Sequence, residues 1–93
     1  MTKFDRIDRV NVDGYGADYE VEGVWNDKPY KIKINCEYDG RDVESEPMEP
    51  GGFDPMEDWE AEPPFFDLLC QSQRFIDLHN EGYKIYETLP TPS

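Results

Sequence analysis

The sequence predicts an α+β domain: a small antiparallel sheet of three to four strands, with one main helix packed on one face. Three observations lead there. Two neighbouring segments between residues 17 and 38 alternate apolar and polar side chains with period two. A later segment, after Pro64, carries its apolar residues at helical spacing. Aromatic residues make up 14% of the 93 residues, enough large rings to anchor a modest core and more than disordered chains usually carry. A length of 93 residues suits one domain spanning 1–93.

The two alternating segments predict a hairpin. In the first, Tyr19, Val21 and Trp25 share a face; in the second, Tyr30, Ile32, Ile34, Cys36 and Tyr38 do. With residues 26–29 as a four-residue loop, Trp25 would oppose Tyr30, Val21 would oppose Ile34 and Tyr19 would oppose Cys36. On the outer face Glu22 would meet Lys33, so register, apolar face and charge agree. Upstream, Ile7, Val10 and Val12 fit an edge strand that ends in a turn at Asp13-Gly14-Tyr15-Gly16.

Residues 39–64 form an acidic excursion. They hold five prolines, three glycines, ten acids and a single base, Arg41. One short helix is expected there, with Asp54 as N-cap, Pro55 at its first position and Glu57 as the capping acid. The main helix begins near Pro64 and carries Phe65, Leu68, Leu69, Ser72, Phe75, Ile76 and His79 along one stripe. Asn80-Glu81-Gly82 would stop it, with Gly82 as a left-handed cap. Tyr83–Leu89 then predicts a closing strand, and residues 90–93 a frayed tail.

Charge bounds the function. There are 22 acids against nine Lys and Arg, a net charge of −13. Such a chain repels nucleic acid and anionic membranes, so neither is a direct partner. No apolar run approaches the length of a membrane span or resembles a secretion signal, which predicts a cytoplasmic protein. Cys36 and Cys70 are expected as reduced structural thiols. Together with one histidine, His79, they cannot close a zinc site. No EF-hand order of ligands occurs, and Gly14-Tyr15-Gly16 lacks the third glycine of a phosphate loop. The chain is expected to be no enzyme, with no catalytic residue, cofactor or metal.

What remains is a surface for a cationic partner. Alternate strand residues lie about 6.6 Å apart, close to the step between neighbouring phosphates. Asp18, Glu20 and Glu22 form one such row. Glu44, Glu46, Glu49, Asp54, Glu57, Asp58, Glu60 and Glu62 decorate the excursion. Trp59, grouped here with the partner-binding residues, and Met48, Phe53 and Met56 are interleaved with these acids; each fits either an interface anchor or a residue that pins the excursion onto the core. A DNA-binding protein would meet such a surface with the Lys and Arg that hold a phosphate backbone.

Small size, a very low isoelectric point, an α+β core and acids interleaved with aromatics together resemble the phage-encoded DNA-mimic proteins. Among these inhibitors of restriction endonucleases, nucleoid-associated proteins and CRISPR effectors, the nearest in profile are the anti-restriction endonuclease proteins of T-even phages. The resemblance covers the whole chain but rests on no shared motif. It implies an inhibitor in the host-cell cytoplasm, often homodimeric, that occupies the DNA site of a restriction or other defence nuclease. The alternative is an immunity protein or antitoxin that neutralises one specific basic toxin.

Overall fold

The structure is a computed structural model and describes residues 2–38 and 42–90. Four strands form one antiparallel sheet in the order β1-β2-β3-β4: β1 (Lys3–Val12), β2 (Gly16–Trp25), β3 (Lys28–Glu37) and β4 (Val43–Pro47). A 3-10 turn (Pro55–Glu57) follows, then two helices, α1 (Phe65–Cys70) and α2 (Gln73–Thr88). The α+β class predicted from the sequence is what the chain adopts.

The inner face of the sheet holds the core. Ile7, Tyr19, Val21, Trp25, Tyr30, Ile32, Ile34 and Cys36 are buried there against Phe65 and Leu69 of α1 and Phe75 and Leu78 of α2. Phe65 meets Phe4, Trp25 and Tyr30 edge to face, with ring centroids 5.2–5.5 Å apart. Two arginines tie α2 to β1: Arg9 donates to the Leu78 carbonyl at 3.0 Å and Arg74 to the Ile7 carbonyl at 3.1 Å.

The hairpin is present but its loop is two residues, Asn26-Asp27, both at positive φ (49° and 67°). That is the conformation of a type I′ turn, which matches strand twist, and Asn and Asp tolerate it. Trp25 therefore pairs with Lys28, Val21 with Ile32, Tyr19 with Ile34 and Glu22 with Lys31. The register moves by two residues from the expected one, so every side chain keeps its face. β1 is the expected edge strand, with register irregularities between Phe4 and Arg6 and between Arg9 and Asn11. Ile7 stays buried, whereas Val10 lies within the second irregularity and is exposed.

The fourth strand lies inside the acidic excursion, not at the C-terminus. β4 pairs Val43 through Pro47 with Cys36 through Ile32. Its one branched apolar residue and its proline make a weak strand former, and pairing with β3 overrides that. Tyr83–Leu89, expected as a strand, continues α2 to Thr88. Gly82 is no left-handed cap: it is buried inside α2, where a Cβ would strike the Tyr38 hydroxyl. The main helix is also split, because Ser72 is extended (φ −74°, ψ 123°) and α2 starts after it. Asp54 caps the 3-10 turn as predicted, accepting from the Met56 amide at 2.9 Å. Residues 39–41 of the excursion and 91–93 of the tail lie outside the described residues.

Candidate acidic interface

Asp18, Glu20 and Glu22 do share the outer face of β2, but that face carries mixed charge. Across the strands, Glu20 stands beside Lys33, Glu22 beside Lys31 and Arg6, and Asp18 beside Asn35. The Arg6 guanidinium lies 3.2 Å from Glu20 and 3.5 Å from Glu22, and Lys31 Nζ lies 3.9 Å from Glu22. Asn35 donates its amide N–H to Asp18 at 2.7 Å. Each acid of this row is thus met by a donor from a neighbouring strand, which reduces the field it presents to solvent.

The uncompensated charge lies elsewhere. Residues 42–73 contain ten carboxylates and no Lys or Arg, against twelve acids and nine bases in the rest of the chain. Among the described residues, all the ion pairs fall outside 42–73. Glu44 and Glu46 stand on β4 opposite Asn35 and Lys33. Glu49, Glu57, Glu60 and Glu62 are exposed beyond it, and exposed Asp67 on α1 extends the acidic run past the residues singled out from the sequence.

Contacts with the body pin this segment down. Asp54 is only 6% exposed, and its carboxylate accepts from both Ser45 Oγ (2.8 Å) and the Met56 amide. Asp58 accepts the Trp25 indole N–H at 2.9 Å. Phe53, Met56 and Ala61 pack on the core, and Lys28 Nζ sits 5.4 Å from the centre of the Phe53 ring. Asp54 and Asp58 therefore serve the fold: removing either carboxylate would leave partly buried donors without a partner. Phe53 and Met56 are core-side residues. Met48 is partly exposed, and Trp59 is 89% exposed.

The side chains capable of other chemistry, Cys36, Cys70 and His79, gather around one cavity. A cavity of about 320 Å³ between the β3–β4 end of the sheet and the helices is lined by Cys36, Val43, Phe66, Cys70, Phe75 and His79, among others. Burial pushes the Cys36 thiol up to about 12 and the Cys70 thiol upward too, which keeps both protonated at neutral pH. His79 Nδ1 lies 3.3 Å from the Tyr19 hydroxyl, and burial lowers its pKa. Among the described residues no three His, Cys, Asp or Glu side chains converge to hold a metal ion, and no helix is long and apolar enough to cross a membrane.

Fold and surface together define an acidic α+β domain whose excess charge rides on one fixed segment joining the sheet to the helices. No protein-family model, curated protein or solved structure matches the chain.

Proposed function

We propose that this chain is a DNA mimic that inhibits a basic DNA-binding protein, such as a restriction or other defence nuclease, by occupying its nucleic-acid site. One observation carries the reading: residues 42–67 hold ten carboxylates and no base, on a segment anchored at Asp54, Asp58, Phe53 and Met56. Fixed carboxylates on a preorganised scaffold offer a phosphate-binding surface the charge it is built to hold, without the ordering cost of a flexible tail. Such a partner places the chain in the cytoplasm of the cell that contains it.

The test is retention of bacterial DNA-binding proteins on the immobilised chain, with elution by a salt gradient and by duplex DNA. Several unrelated DNA-binding proteins should be retained, released by DNA, and lost steeply as salt rises. A folded Glu49→Gln, Glu57→Gln, Glu60→Gln, Glu62→Gln variant should retain few. Undiminished retention by that variant overturns the reading. One partner held tightly with a shallow salt response would instead mark a single-partner inhibitor.

A further inference from the structure

We infer that Trp59 is a nucleobase surrogate, and that the partner is a protein whose groove holds single-stranded nucleic acid on stacking aromatic rings. The inference rests on the DNA-mimic reading above and narrows its partner class.

The first observation is the indole itself. Trp59 is 89% exposed, whereas Trp25 is buried at 4% and hydrogen bonded. The chain on either side is held: Asp58 binds the Trp25 indole, the Trp59 amide donates to the Glu57 carbonyl at 3.0 Å, and Ala61 packs on the core. The ring is therefore offered to solvent from a braced turn, with Glu57, Glu60 and Glu62 around it in sequence. A second copy of this chain is a poor occupant, because two molecules of net charge −13 would have to bring those same carboxylates together. The occupant must be cationic and must also accept a large flat ring.

The second observation is that, among the described residues, the 42–67 run makes no ion pair. The β2 row that would complete a double-stranded outline is met by Arg6, Lys31 and Asn35. One backbone-like line of charge with a projecting ring has the outline of a single strand with an unstacked base. Duplex readers that leave the bases stacked hold phosphates with Lys and Arg and read base edges in the grooves, so a projecting ring has no stacking partner there. Single-strand grooves alternate cations with aromatic side chains that stack on any π-face.

The test uses two probes. One is a bacterial OB-fold single-stranded-DNA-binding protein carrying a fluorescein-labelled oligo-dT. The other is a helix-turn-helix repressor carrying its labelled duplex operator. The wild-type chain should displace oligo-dT at much lower concentration than it displaces the operator. Trp59→Ala should raise the oligo-dT midpoint about tenfold, the loss of one stacked base, while Trp59→Phe keeps most of the effect. Trp59 emission, taken as the difference from Trp59→Phe, should be quenched in the complex. An unchanged midpoint for Trp59→Ala, or equal displacement of the operator, overturns the base surrogate; loss of displacement on Glu57→Gln, Glu60→Gln, Glu62→Gln would then still uphold the charge reading. Displacement of neither probe also overturns the surrogate, leaving the mimic reading to its own retention test. Displacement untouched by the triple Gln variant overturns the charge reading itself.

Discussion

His79 sits where three elements meet. Its Nδ1 faces the Tyr19 hydroxyl from β2, its carbonyl accepts from the Tyr38 hydroxyl at 3.2 Å, and its ring packs on Tyr38 and Phe75 at 5.0 and 5.9 Å. Burial disfavours the imidazolium, so the folded pKa lies below the ordinary 6.5. The unfolded chain then binds a proton that the folded chain refuses. The contribution is present in full above 6.5 and shrinks as pH falls from there towards the folded value. Urea titrations on either side of that window should show lower stability on the acid side, and His79→Phe should flatten the difference. Equal slopes in both proteins would dismiss His79 as the source. The two structural carboxylates give a second expectation. Asp54→Ala and Asp58→Ala should each lower stability by about 1–3 kcal/mol, by stranding the Ser45 and Met56 donors or the Trp25 indole N–H, whereas exposed Glu60→Ala should stay within about 0.5 kcal/mol.

Gly82 shows how an element can be misread locally. A glycine after Asn80-Glu81 has the form of a helix stop, yet α2 runs through it, and the residue is a glycine because the Tyr38 hydroxyl leaves no space for a Cβ. Gly82→Ala gains about 1 kcal/mol of helix propensity but displaces a hydroxyl bonded to the His79 carbonyl, and crowding in a packed site costs about 1–3 kcal/mol. The expected outcome is a net loss of about 1 kcal/mol that shrinks in a Tyr38→Phe background. Persistence of the full loss there would point instead to the Arg9 side chain, whose Cδ lies 3.2 Å from the same position. The residues after Gly82 carry the same lesson: Tyr83 and Ile85 suggest alternation, but Tyr83 and Tyr86 both meet the Tyr38 ring, an i, i+3 pairing that a helix makes and a strand cannot. What local pattern specified strongly was readable in the sequence: the strict alternation of β3, the hairpin, and the Asp54-Pro55 start of the 3-10 turn. What tertiary contact decided was not. β4 has few strand-forming residues and exists because β3 offers it an edge. Residues 26–29 do not say on their own face whether Asn26-Asp27 closes the turn alone. The acidic segment was legible as composition, but the division of its carboxylates into pinned Asp54 and Asp58 and free Glu57, Glu60 and Glu62 depended on where Ser45 and Trp25 came to rest.

At the scale of the whole molecule, the net charge of −13 is unevenly placed on a body 42 × 27 × 21 Å across. The outer sheet face interleaves Arg6, Lys31 and Lys33 with its acids, while residues 42–67 have no base of their own. In about 0.01 M salt the screening length is about 30 Å, so carboxylates along that segment repel one another over most of the molecule; in about 0.1 M it falls to about 10 Å and only near neighbours do. Unfolding lets these groups separate, so the folded state should gain from screening. The melting temperature should rise with sodium chloride over this range. Glu57→Gln, Glu60→Gln, Glu62→Gln should raise it at the low-salt end by about 4–8 °C, the equivalent of about 1 kcal/mol in a domain of this size, and should blunt its salt response. Lys31→Gln should do the opposite, because it strips a counter-charge from Glu22 and the β2 row. A melting temperature indifferent to salt in the wild-type chain would mean that the segment's carboxylates are too far apart to repel. The concentrated anionic field that draws a cationic partner would then be missing as well, since the same close spacing produces both effects.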